Sequence, residues 1–451
     1  MKVTRRFLGV MFALAMVAAA CGGDDDDGAG DTTTTGGDGA AADEVTTDFG
    51  ADEDTIRVGI LADLSGPFAT LVNDIVLAQE VYWDRVNDAG GIAGREIEVV
   101  TVDTRYDIPT HQQQYQSMRA EDENGVLIIS QSTGSPHTAS IAADLVADNL
   151  IAIPLSWYSG WADPDFGQNV FEAYTNYCFE GINGVQFIAD EGGETVAIAT
   201  FPGEYGQDSA TGAKLAAEEL GLEVVYDGEG LVIPPSATNP NPDNSGVVSS
   251  IVDASPDWVW ATVNPATLAT MMGQADASGF EGKWTGASPS YSDVLLTSDV
   301  AELIDSSFWQ SAYTVALGTD VPGMQDMIDA ISAAEPDARA SDAYVYGWTE
   351  AQITEAILRA AAESGDLTRE GVVRAAFEVE EVDFGGLAPT QGWSGEPNDY
   401  LVRESYIFKP RVSLRTPGPI GSGTTGSELV EGPFASPISE DYDFQGPCFE
   451  P

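Results

Sequence analysis

From Thr55 onward, short apolar runs alternate with longer segments in which apolar residues recur every three or four positions. Ile56-Arg57-Val58-Gly59-Ile60-Leu61 is nearly continuous, the pattern of a strand buried on both faces. Residues 73–89 follow with Ile75, Ala78, Tyr82 and Val86 near helical spacing and Gly90 placed to cap the end. The same reading predicts strands over 97–103, 126–130, 150–153, 195–200, 222–226 and 257–263. It predicts helices over 109–123, 136–148, 208–220, 265–278 and 348–364. Such alternation means parallel sheets covered by helices, an α/β fold with doubly wound sheets. The units are too many for one compact sheet, so two lobes are expected. From Asp383 the rhythm is lost in Gly, Pro and Ser, which reads as irregular wrapping or tail.

The N-terminus has a different texture. Lys2, Arg5 and Arg6 precede an apolar run from Phe7 to Ala20, followed by Cys21. A charged start, a short apolar stretch and small residues at the break form a secretory signal over 1–20. The run is shorter than the roughly 20 residues a spanning helix needs. Val17-Ala18-Ala19-Ala20-Cys21 resembles a bacterial lipobox, which implies lipidation of Cys21 and attachment to the bilayer; plain secretion is the alternative. Residues 22–54, rich in Gly, Ala, Thr and acid, offer almost nothing to bury and are expected to be a disordered tether.

Charge narrows the partners. The chain has 451 residues with 18 Lys+Arg against 73 Asp+Glu, a net charge of −55. Such acidity argues against nucleic acid, whose recognition rests on basic clusters. Three cysteines and two histidines leave little for a metal centre, and no metal or cofactor is expected. Gly421-Ser422-Gly423-Thr424-Thr425-Gly426 matches a dinucleotide fingerprint by letters but has no strand before it, and reads as a flexible tail. Gly282-Lys283 is followed by Trp284, so no phosphate loop forms. His111 and His137 have no nucleophile or metal pattern around them, and no catalytic residue is assigned. With Cys21 lipidated, oxidising surroundings favour a disulfide between Cys178 and Cys448 that staples the tail to the second half of the body. Two unpaired buried thiols are the alternative.

Three landmarks then carry a family resemblance. Ile56 to Pro67 resembles the opening of type I periplasmic binding proteins of the branched-chain amino-acid ABC transporter family. Asn87-Asp88-Ala89-Gly90-Gly91-Ile92-Ala93-Gly94-Arg95-Glu96-Ile97-Glu98 resembles the family's helix end, Gly turn and next strand. Val196-Ala197-Ile198-Ala199 with Tyr205-Gly206-Gln207-Asp208 resembles its strand and Tyr-Gly helix start in the second lobe. The resemblance implies two doubly wound lobes joined by three crossings, near 172–176, 312–316 and 379–386. Lobe one would hold 55–174 and 314–382, lobe two 175–313 and 383–410, with 411–451 as a C-terminal wrap. It also implies a receptor that closes on a small-molecule solute and delivers it to ABC permease subunits, outside the cytoplasm and as a monomer. A sensor of the same fold reporting to a membrane signalling partner is the alternative, and an exported hydrolase a remote one.

By resemblance, Thr133, Gly134, Ser135 and Ser156 hold the ligand, with Trp157, Tyr158 and Tyr205 as walls. Phe68 stands in a shifted aromatic position. Across the cleft the chain departs from the amino-acid binders: Ser288 occupies the place of a carboxylate, Asn264 replaces an aromatic residue, and the nearest acid is Asp293. An unpaired buried ammonium is costly. Either Asp293 reaches into the cleft or the ligand is not an α-amino acid, which leaves branched-chain amino acids, amides and related carboxylates open.

Overall fold

The computed structural model describes residues 45–451. Its first sheet has four strands in the order Glu96–Asp103, Thr55–Ala62, Ile128–Thr133 and Ala152–Leu155, all parallel. Ile56, Val58 and Ile60 are fully buried, as the apolar run requires. Each such side chain contributes about 1.5–3 kcal/mol when buried. Helix Ala69–Asp88 covers this sheet, and helix Ala343–Glu363 returns late in the chain to pack on it. A Cβ added at Gly347 would lie 2.0 Å from the carbonyl oxygen of Ile75, so the two backbones touch where only glycine fits.

The second sheet has seven strands in the order Ser427–Phe434, Ser405–Pro410, Phe308–Ala312, Lys283–Gly286, Trp258–Thr262, Thr195–Thr200 and Glu223–Gly228. The five on one side are parallel; the last two in sequence pair antiparallel at the other edge. Residues beyond Asp383 are therefore not simply wrapping. Tyr406, Ile407 and Phe408 are buried in a strand that extends the second lobe. The segment expected to be a flexible tail also docks: Ile420 is buried, its N–H donates to Ala338 (2.7 Å), and Ala340 donates to Gly418 (3.1 Å). Gly and Pro around these anchors obscured them in the one-dimensional pattern.

Residues 45–54 correct the other end. Thr46–Thr47 pairs in parallel with Asp366–Leu367, Asp48 accepts from the Arg369 N–H (3.0 Å), and Gly50 lies against the backbone of Leu127. The last stretch of the expected tether is thus part of lobe one. The expected helix over 136–148 is broken into Ser135–Ala139 and Ala142–Ala147. The signal segment and Cys21 lie outside the described residues. Among those described, no helix is long and apolar enough to cross a membrane.

The chain passes between lobes where residues 172–176 lead into helix Tyr177–Asp190, after strand Phe308–Ala312, and between helix Arg369–Glu378 and strand Ser405–Pro410. Thr175 pairs with Val402, which ties two of these passages together. Cys178 and Cys448 form a disulfide with their Cα atoms 6.2 Å apart. The tail it holds is also fixed by Tyr158, whose hydroxyl donates to the Phe449 carbonyl (2.6 Å), and by the Cys448 N–H donating to Ser159 (2.9 Å).

Candidate functional site

Loops at the carboxyl ends of both sheets face one another, the place where open α/β sheets bind ligands. After the first strand, Asp63 accepts from the N–H groups of Gly66 (2.6 Å) and Phe68 (2.8 Å), curling the loop so that Phe68 points across the cleft. Its ring lies 4.9 Å from that of Tyr106 and 6.1 Å from that of Tyr205 on the opposite lobe. Thr133 is positioned from behind by a buried amide chain. Ser130 donates to Gln79 (2.7 Å), Gln79 to Gln131 and Glu350 (2.9 Å each), and Gln131 to Thr133 (3.0 Å). Gly134 has φ +98°, and a Cβ there would meet His137 at 2.5 Å and Tyr106 at 2.7 Å.

The cavity between the lobes measures about 720 Å³ with its opening counted. Phe68, Thr133, Gly134, Trp157, Tyr205, Ser288 and Asp293 line it. Leu71, Val72 and Ile75 of helix Ala69–Asp88, with Leu155, add an aliphatic wall. Tyr106, Tyr177, Tyr291 and Tyr346 supply further aromatic surface. Burial pushes the phenols of Tyr106, Tyr177 and Tyr205 above their ordinary range, so all three are neutral. Several buried polar atoms, Trp157 Nε1, Tyr291 OH, Ser292 Oγ and Gln310 Oε1 among them, have no hydrogen-bond partner among the described residues.

Four residues expected in the cleft do not line it. Tyr158 packs on Trp161 with centroids 5.3 Å apart and holds the C-terminal tail. Asn264 is an interlobe strut, donating to the carbonyl of Pro67 (3.1 Å). Ser135 and Ser156 are buried behind the lining residues. Ile75 and Leu71 were not assigned as ligand contacts, because a helical face that reads as core also supplies the wall of an interlobe cavity.

Asp293 reaches the cavity but is already paired. Arg339 Nη1 donates to both its oxygens, at 3.0 and 2.9 Å, while Nη2 of the same guanidinium reaches Asp74. Asp342, at the cavity edge, accepts from the Leu317 N–H (2.8 Å), Thr425 (2.8 Å) and Ser427 (2.5 Å), and burial pushes it up to about 6. Ser288 binds across the cleft to the Tyr346 hydroxyl at 2.8 Å. The cavity thus combines apolar walls and neutral hydrogen-bonding groups with carboxylates whose partners come from the protein. Among the described residues no cluster of His, Cys, Asp or Glu could hold a metal.

Two doubly wound lobes meeting over a shared cleft define a bilobal receptor for a small solute. The chain belongs to the periplasmic binding protein family, whose model matches residues 55–410. Proteins of this family are binding components of transport that work outside the cytoplasm with membrane permeases. Among solved structures, the chain is similar to a fatty acid ABC transporter substrate-binding protein from Thermomonospora curvata. That match has 27% identity and a TM-score of 0.78, covering 88% of this chain and 97% of that one. A branched-chain amino acid ABC transporter protein from Thermus thermophilus with bound valine has 20% identity and a TM-score of 0.72, covering 86% and 98%. A solute-binding protein from R. palustris in complex with 4-hydroxybenzoate has 15% identity and a TM-score of 0.65, covering 79% and 93%. No curated protein sequence matches the chain.

Proposed function

We propose that this protein is the lipid-anchored receptor of an ABC importer and captures a monocarboxylic acid with an apolar body, a fatty acid or an aromatic acid. One observation carries the choice: the carboxylate best placed for a ligand ammonium, Asp293, already has both oxygens engaged by Arg339, which it shares with Asp74. An α-amino acid would bury both an ammonium and a carboxylate without free charged partners, at several kcal/mol for each ion, whereas a monocarboxylic acid buries one charge at most. An aliphatic or aromatic tail, by contrast, gains about 25 cal/mol for each Å² it buries against Leu71, Val72, Ile75 and Phe68. Trp157 Nε1–H and the hydroxyls of Tyr291 and Ser292 are donors for the head group. The similarity to a fatty acid substrate-binding protein supports this reading. Ligand contacts are assigned to Phe68, Thr133, Gly134, Trp157, Tyr205 and Ser288, and membrane attachment to acylated Cys21.

A thermal-shift series tests it with octanoate, 4-hydroxybenzoate, leucine and valine. A ligand present at a hundred times its Kd stabilises by about 2.7 kcal/mol. Octanoate or 4-hydroxybenzoate is expected to raise the midpoint where leucine and valine do not. A shift by leucine or valine alone would overturn the assignment and return Asp293 or Asp342 to the role of ammonium partner.

A further inference from the structure

A second cavity lies outside the interlobe cleft and shares no lining residue with it. It sits where the segment after strand Ala152–Leu155 meets the returning segment before strand Ser405–Pro410. Its volume is about 770 Å³, open mouth included. Trp161, Phe171, Trp393, Tyr400 and Phe377 surround it, with Glu172 among them. The rings are set against one another: Phe171 lies 5.8 Å from Trp393 and 4.9 Å from Phe377, both edge to face.

Glu172 is the unusual member. It is only 4% exposed, yet neither carboxylate oxygen has a hydrogen-bond partner among the described residues. Its backbone carbonyl is occupied by the Trp393 indole N–H at 2.9 Å, which fixes both residues in place. Asn176 Nδ2 nearby is likewise unpartnered. No Lys or Arg lines the cavity, whose remaining charged members, Asp163 and Glu396, are acidic. Burial and the charge of Asp208 push the Glu172 carboxyl up, against the neighbouring Asn176 side chain, which holds it down. A buried acid in the wall of an aromatic enclosure, in a strongly acidic chain, is complementary to a cation that sheds its water easily. Ring faces attract such ions through their quadrupole, and an entering cation favours the ionised form of the Glu172 carboxyl, which then supplies the counter-charge. A metal ion is a poorer match, because it needs a converging set of oxygen ligands.

We propose that the cavity formed by Trp161, Phe171, Glu172, Trp393 and Tyr400 is a second binding site, specific for an alkylated ammonium ion. The cation enters past Phe377, which is exposed, and seats against the indole and phenyl faces with Glu172 as its counter-ion. Occupation would join the segment around Glu172 to that around Trp393, two of the passages between the lobes. The site is independent of what the interlobe cleft binds.

Calorimetric titration of the full chain with choline, and with its uncharged carbon isostere 3,3-dimethylbutan-1-ol, tests the proposal. Choline is expected to bind at one site per chain and the isostere at least tenfold more weakly. Glu172→Gln, which keeps shape and removes charge, is expected to weaken choline at least tenfold while keeping the wild-type circular dichroism spectrum. Trp161→Leu provides a second variant should that one fold poorly, and is also expected to weaken choline. Equal binding of choline and the isostere, no choline binding, or unchanged affinity in Glu172→Gln would each overturn the proposal. Saturating octanoate should leave choline binding in place, so failure here and failure of the carboxylic-acid reading are separable.

Discussion

Arg339 Nη1 binds both oxygens of Asp293, at 3.0 and 2.9 Å, and thereby ties the first lobe to the second at the mouth of the ligand cleft. Asp74 completes the triad from helix Ala69–Asp88. Two acids share one base, and the Asp293 side chain is only 3% exposed. Burial pushes the carboxyls of Asp293 and Asp74 up while the guanidinium holds them down. The contact therefore does two things: it occupies the Asp293 oxygens that an amino-acid ligand would need, and it holds the lobes together.

Replacing Arg339 by Gln leaves two carboxylates, Asp74 and the more deeply buried Asp293, without their shared base. A loss of about 2–3 kcal/mol is expected, below the 3–5 of a fully buried pair because Arg339 is partly exposed. Asp293→Asn in the Arg339→Gln background should recover most of it. Urea unfolding of the four proteins checks this, and additive losses would mean that the two residues are not coupled.

Stability should rise as the pH falls from 8 to 6.5. Burial pushes Glu180 up to about 8, Asp208 to about 7 and Asp342 to about 6. Unfolded, these groups titrate near 4, so between those limits the native state holds more protons and loses stability as pH rises. His111, pushed down to about 3, and His137, down to about 4, act in the opposite sense below 6.5, because the unfolded chain protonates them first. The climb should slow there. Melting temperatures from pH 4 to 9 test the sign, and Glu180→Gln should flatten the limb between 6.5 and 8.

The disulfide closes a separation of 270 residues. Cys448→Ser is expected to cost about 2–4 kcal/mol, the usual range for a native bridge. Denatured protein should show no titratable thiol from Cys178 and Cys448 before reduction and two after it. Limited proteolysis should cut the variant near its C-terminus, because beyond Phe444 the tail is then held by hydrogen bonds to Tyr158 and Ser159 without a covalent tie.

Leu71→Trp adds bulk to the aliphatic wall of the cleft. Octanoate affinity should fall at least tenfold while butyrate binds as in the wild type, measured by competitive titration. Equal loss for both acids would place the chain-length limit elsewhere.

The fold class was legible because both sheets are made of buried parallel strands, and such strands announce themselves as apolar runs separated by helical periods. Ile56 to Leu61 and Thr195 to Thr200 are examples in which burial on two faces leaves little else the sequence could encode. Strands Lys283–Gly286 and Phe308–Ala312 escaped because four or five residues with Lys, Thr, Gln and Ser carry no such signature. The docked C-terminal segment escaped because its anchors, Ile420 and the strand around Ile407, are isolated among turn formers.

The site divides along the same line. The family resemblance placed Phe68, Thr133, Gly134, Trp157, Tyr205 and Ser288 at the cleft, and those residues line it. By itself the sequence determined the α/β lobes and the acidity, and it favoured a bond between Cys178 and Cys448 over two free thiols. Tertiary structure alone decided that Arg339 pairs with Asp293, that Asn264 spans the lobes and that Glu172 lies buried among aromatic rings. These partners stand 46, 197 and 221 residues apart in the chain. Local periodicity reports which face of an element is buried, whereas pairing across such distances depends on how the lobes close.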